Sequence, residues 1–177
     1  MKARNMAQCA LFAALITVCA WLAIPVGDTV FTLQTFGVCL TLGLLGGKQG
    51  SLSILVYLLL GAVGLPVFTG FQGGLGSLLG ITGGYIAGFL ACGLVYWLVT
   101  ALGGTSGKIR LLALIAGLLV CYLLGTLWFY FGYLRGGNSM GLGMILAKCV
   151  LPYLLPDSLK LALALYLTKR LLPHVAP

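Results

Sequence analysis

The 177-residue chain is predicted to be an all-α integral membrane protein of six transmembrane helices, and three features of its composition carry that prediction. It is 61% hydrophobic and 7% charged, with a mean hydropathy of +1.15. No soluble domain of this size has enough interior to hide so much apolar surface. The apolar runs are long enough for helices rather than barrel strands, the two structures that satisfy every backbone polar group in lipid. The basic residues gather in loops and termini, so a net charge of +8 reads as a topology signal rather than a nucleic-acid footprint. No basic patch interleaved with exposed aromatics accompanies it, and no nucleic-acid partner is expected.

Charges, glycines and prolines cut the chain into spans that form a single membrane domain over 1–177. The first is about 6–26, ended by Pro25 and Gly27-Asp28. It is longer than a signal-peptide core and reads as a retained helix. The second, 33–47, is short at ~1.5 Å per residue. The Val30–Leu33 segment before it is expected to be a non-helical loop, which only surrounding helices can shield. Lys48-Gln49 makes a tight turn into the third span, 50–66, closed by Pro66.

A glycine-rich connection over 67–79 leads to the fourth span, 80–102, and a polar loop at Gly103–Lys108 leads to the fifth, 109–131. The loop Gly132–Gly143 carries Arg135 and Asn138. The apolar segment 144–155 holds Lys148 and Pro152, and its shortness places it in an outer connection or at the membrane interface. The last span, 156–172, ends in Lys169-Arg170.

An even number of spans puts both termini on one side. Lys2, Arg4, Lys48, Lys108, Arg110, Lys169 and Arg170 share that side, against Arg135 and Lys148 on the other. The Lys/Arg bias places both termini in the cytoplasm, in a multi-pass protein of the cell membrane. No internal repeat is visible, and one six-helix unit is half the usual size of a carrier that rocks two halves.

The candidate binding chemistry centres on Pro156-Asp157-Ser158-Leu159-Lys160. The chain has two acidic residues in all, and the i, i+3 spacing puts Asp157 and Lys160 on one helical face. Ionisable groups at the head of so apolar a segment are costly and read as a binding or transport site. The plainer reading is a self-neutralising ion pair, with Asp157 also favoured by a helix N-terminus.

Thr69–Gly88 is rich in glycine. Gly80, Gly84 and Gly88 recur every fourth residue, a stripe that lets another helix backbone approach. Gly73, Gly74 and Gly76 precede the helix and can leave backbone groups open to a ligand. In the first loop Thr32, Gln34 and Thr35 offer polar groups beside Phe31 and Phe36. They either tie down the loop backbone or face a polar ligand. In the first helix Ala3, Ala7, Ala10, Ala13 and Ala14 provide small-x-x-x-small spacings that fit internal packing and partner docking alike.

Other chemistries lack their parts. The cysteines are scattered singly and the sole histidine is His174, so no metal site is expected. Gly74-x-Gly76 is followed by Leu79, which breaks the dinucleotide fingerprint. Ser77 has no base for nucleophilic catalysis, and no catalytic residue or cofactor is assigned. A channel would need a ring of polar pore residues, which is missing too.

With these stretches together, the chain resembles the BioY family, the biotin-binding S components of energy-coupling-factor importers. The resemblance lies in ALFAALITVCAWLAIP, TLQTFGVCL, SILVYLLLGAVGLPVF, GGLGSLLGITGGYIAGF and PDSLK, in that order along essentially the whole chain. It implies the six-helix S-component fold, biotin as transported ligand, and a transmembrane coupling subunit with two ATPase subunits as partners. Asp157 and Lys160 match the family's acidic and basic binding residues, and the Ala10 and Ala14 spacing resembles its docking surface for the coupling subunit. Ile81 stands where the family often has proline, and Gln34, Gln72 or the backbone at Gly73 and Gly74 are the candidates for a further polar contact. Thr32, Phe31, Leu33 and Tyr85 complete the expected binding site. The alternatives within this reading are an S component for another vitamin and a solitary biotin carrier.

Overall fold

The computed structural model describes residues 3–27, 29–135 and 141–175. Lys2, Asp28 and Asn138 of the sequence reading lie outside the described residues. The chain is nearly all helical. Helix α1 (Ala3–Trp21) stops short of the expected position 26, and strands β1 (Ala23–Val26) and β2 (Thr29–Thr32) follow as an antiparallel hairpin. Ile24, Val26, Thr29, Val30 and Thr32 are β-branched and Pro25 disfavours a helical interior, so extended backbone wins here. Gly27, at φ 58°, supplies the left-handed turn. The non-helical segment expected at Val30–Leu33 is thus largely a strand, part of one short hairpin in a nearly all-helical chain.

Helix α2 (Gln34–Ala62) takes in the two spans expected at 33–47 and 50–66, and it is broken at Gly46 (φ 76°, ψ 176°). The side chain of Gln34 donates to the Tyr57 hydroxyl at 2.8 Å. In a straight helix these residues would be about 35 Å apart, so the two arms double back antiparallel. A Cβ on Gly50 would lie 3.1 Å from the Leu42 Cα across the turn. The first arm, 34–45, is only about 18 Å long. The β1–β2 hairpin occupies the depth that this arm leaves unfilled.

After a short 3-10 turn (Thr69–Phe71) and α3 (Leu75–Leu79), α4 (Gly83–Gly103) and α5 (Gly107–Arg135) form a second antiparallel pair. Helices α6 (Leu142–Cys149) and α7 (Leu151–Val175) close the chain. The segment 144–155 is therefore mostly helical rather than an open connection. Helix α7 begins five residues before the expected start because Pro152 sits in its first turn, where a missing N–H costs nothing. Five helical segments among the described residues are long and apolar enough to cross a bilayer, and α2 is a folded-back pair.

Small residues let the helices meet. A Cβ on Gly84 would overlap Trp128, and one on Gly88 would lie 2.8 Å from the Cys121 Sγ. Across the same interface, Gly117 receives Cys92 and Gly125 receives the Tyr85 ring. Gly80 does not continue the stripe. It lies before α4, and its carbonyl accepts from the Trp128 indole at 2.9 Å. Gly43 likewise admits Thr168, which sets α7 against the first arm of α2.

These pairings place Arg4, Lys48, Lys108, Arg110, Lys169 and Arg170 toward the Gly46 end of the bundle, while Arg135 and Lys148 lie toward the hairpin end. The core between holds Ile16, Val38, Leu42, Ile54, Tyr57, Cys92 and Leu114.

Replacing Gly84 by Val should destabilise the detergent-purified protein by about 1–3 kcal/mol, the cost of overpacking a close contact. Gly132→Ala, where a Cβ meets nothing within 4 Å, should leave the unfolding midpoint unchanged or slightly raised.

Candidate functional site

A carboxylate buried in an apolar bundle needs each of its oxygens satisfied. Asp157 is 5% exposed and meets that demand with side chains from three helices. Its Oδ1 accepts from the Lys160 Nζ at 2.7 Å, within α7. Its Oδ2 accepts from the Tyr122 hydroxyl of α5 and, at 3.5 Å, from Thr35 of α2. Lys160 keeps only 12% of its side chain exposed, so the pair is largely removed from water. The i, i+3 geometry expected from the sequence is realised. The helix N-terminus contributes little, however, because α7 starts six residues before Asp157 and the macrodipole fades within the first turn.

Two further polar pairs border this cluster. Gln34, next to Thr35, is buried and bonded to Tyr57. Tyr85 and Thr126 share a hydrogen bond at 3.2 Å between α4 and α5. Tyr122 and Thr126 stand one helical turn apart, so α5 turns a single polar stripe inward. Above the cluster, the Tyr153 hydroxyl donates to the Val30 carbonyl at 3.2 Å and its ring packs on Phe31 at 5.1 Å. That contact ties the β2 strand to the start of α7. Leu33 is exposed beside it, at the N-cap of α2.

Not every expected residue faces the cluster with free groups. The Thr32 hydroxyl accepts from the Gln34 backbone N–H at 3.3 Å, the local tie that the sequence left as one of two readings. The Gly74 N–H donates to the Gly61 carbonyl at 2.7 Å, and Gly73 has no room for a Cβ against Leu65. These glycines fold the connection onto the end of α2, and the Gly74 amide is not the open donor that the sequence suggested. Gln72 is exposed, and its carbonyl accepts from the Phe68 N–H at 2.9 Å. Ala10 and Ala14 are exposed on the outer face of α1, while Ala13 turns inward. An apolar groove lined by Leu11, Ala14 and Val18 runs along that face.

Sequence reasoning passed over Tyr122, Tyr57, Thr126 and Tyr153. The available signal was a polar-tipped aromatic inside an uninterrupted apolar run, as in LLVCYLLGT and ILVYLLL, because such a hydroxyl seeks a buried partner. A cleft of about 210 Å³ lies not here but at the opposite end of the bundle. Packed side chains close the Asp157 cluster, and its buried charges rather than its volume make it the candidate.

Comparison with known proteins bears on the family and the fold. The BioY family description matches residues 1–177. A protein of Pyrococcus horikoshii named a probable biotin transporter BioY is 41% identical over 171 residues, 97% of this chain and 98% of that one. A biotin transporter BioY of Thermotoga maritima is 40% identical over 170 residues, 95% of each chain. Among solved structures, the S-component for biotin from an ECF-type ABC transporter superposes with a TM-score of 0.82 at 27% identity, covering 96% of this chain and 91% of that one.

Removing one member of the buried pair should cost more than removing both. Lys160→Met should destabilise the protein by about 3–5 kcal/mol, whereas Asp157→Asn combined with Lys160→Met should recover most of that loss. A thermal-unfolding cycle over the four proteins measures the difference.

Proposed function

Because the chain belongs to the BioY family, we propose that it is a biotin-binding S component. In this reading it captures biotin on the outer side of the cell membrane and delivers it to the cytoplasm with an ATP-driven coupling module. The observation that carries this reading is the Asp157 carboxylate, buried among exchangeable donors where the β1–β2 hairpin meets α7. Biotin's ureido ring has two N–H donors and one carbonyl acceptor, and its valeryl tail ends in a carboxylate. A ureido N–H takes the place of one donor on Asp157. Lys160, released from that oxygen, donates to the ureido oxygen or to the ligand carboxylate.

Each charge-assisted bond contributes about 1.5–3 kcal/mol. Two of them supply a quarter to a half of the ~12 kcal/mol that nanomolar binding requires. Gln34 is the further polar contact, since it is buried beside Thr35 while Gln72 is exposed. Phe31, Leu33 and Tyr85 form apolar walls, with Thr32, Gly73 and Gly74 shaping the backbone around them. Tyr153 leaves Phe31 as the hairpin opens to admit ligand. The described basic residues gathered at the Gly46 end support a cytoplasmic position for that end. The coupling subunit docks on the outer face of α1, where Ala10 and Ala14 permit close approach and Leu11 is 67% exposed.

Asp157→Asn and Tyr122→Phe should each retain helical content and monodispersity while lowering biotin affinity, the former at least about tenfold, or 1.4 kcal/mol. Isothermal titration gives the affinities, and unchanged binding in both would reject the site. In a thermal-shift panel biotin should protect where thiamine and riboflavin do not; the reverse would reject the ligand. Ala10→Trp and Ala14→Trp should abolish copurification with the coupling subunit and leave biotin binding intact.

A further inference from the structure

At the Gly46 end, α2, α4, α5 and α7 surround a cleft of about 210 Å³. Its chemistry is the opposite of the Asp157 cluster. Arg110, from the first turn of α5, lines it and has its Nε buried with no hydrogen-bond partner. Tyr96, 1% exposed, lines the same cleft, and its hydroxyl makes no hydrogen bond among the described residues. Leaving a guanidinium nitrogen buried and unpaired is costly, and guanidinium geometry matches planar or tetrahedral oxyanions.

No carboxylate of the described chain can fill this role. Asp157 is engaged at the far end of α7, about 22 Å from the level of Leu172, which also lines the cleft. The surroundings add further positive potential. The N-terminus of α5 lies at this end with no acidic residue in its first turn, and Lys48 and Lys108 are exposed at the same end. The cleft opens between apolar helices at the end of the bundle, the level of lipid headgroups. Basic pockets between transmembrane helices at that level suit phospholipid headgroups.

We propose that the Arg110 cleft holds the phosphate group of an anionic phospholipid, with the Tyr96 hydroxyl as a second donor. Arg110 grips two phosphate oxygens, and the acyl chains lie along the apolar outer faces of the neighbouring helices. This site is separate from the one assigned to biotin, and its test does not depend on that ligand.

The test uses the full chain in neutral detergent, with phosphatidylglycerol, phosphatidylcholine or inorganic phosphate added. Phosphatidylglycerol should raise the unfolding midpoint by roughly 3 °C or more and remain bound as one molecule per chain in native mass spectrometry. Phosphatidylcholine should do neither. Arg110→Gln should lose both effects, while Lys108→Gln, a surface charge nearby, should keep them. If Arg110→Gln fails to fold, Tyr96→Phe decides: retention should fall severalfold, and unchanged retention overturns the proposal. Equal effects of the two lipids, or a phosphatidylglycerol effect that survives in Arg110→Gln, overturn it as well. A full shift from inorganic phosphate alone overturns the lipid source.

Discussion

An ionised carboxylate inside an apolar bundle persists only where its oxygens are bonded, and Asp157 imposes that condition on three helices at once. Lys160 neutralises it from the same helix, Tyr122 reaches it from α5, and Thr35 reaches it from α2. The Tyr122 and Thr35 contacts tie α5 and α2 to α7 at the hairpin end. The short first arm of α2 follows the same logic. By beginning below the level of the other helices, it delivers Thr35 and Gln34 to the depth of the carboxylate, and the β1–β2 hairpin fills the remaining height. The paired strands satisfy the backbone groups on their facing edges, and the Val30 carbonyl accepts from Tyr153.

Close packing elsewhere makes this placement possible. Lipid tails are as apolar as leucine, so helices in a bilayer gain little from hiding hydrophobic side chains against one another. Contact must come from shape. Gly84, Gly88, Gly117 and Gly125 bring α4 and α5 together by making room for Trp128, Cys121, Cys92 and Tyr85 of the facing helix, and the Tyr85–Thr126 bond forms across that narrow seam. Gly43 does the same for α2 and α7 by receiving Thr168. A polar site assembled from several helices is thereby held on rigid elements rather than on loops.

The two ends of the bundle differ in charge and in closure. The hairpin end holds a satisfied acid, hydroxyls and an aromatic lid made by Phe31 and Tyr153. The Gly46 end holds a cluster of cations and an open cleft with an unsatisfied arginine.

Membership in the membrane class, the helical periodicity and the spacing of Asp157 and Lys160 were all legible from residue order, because each depends on local composition and on the 3.6-residue turn. The alanine and glycine spacings were legible for the same reason, although which faced inward was not. Gly80 matched the stripe in sequence but falls outside α4, and Gly74 looked available for a ligand but is bonded to Gly61. The strand at Thr29–Thr32 was hidden because pairing with Ala23–Val26 decides its form, and that partner was read as helix.

The amino-acid order by itself determined that this chain lives in a bilayer and carries a charged couple one helical turn apart at its last segment. Only the tertiary structure decided that Tyr122, 35 residues away, donates to that acid, and that Gln34 meets Tyr57 across the Gly46 turn. It also left the Arg110 Nε without a hydrogen-bond partner among the described residues. The physical reason is one of range: helix formation and burial cost are summed over neighbours in sequence, whereas hydrogen-bond partners are assigned by which helix faces meet.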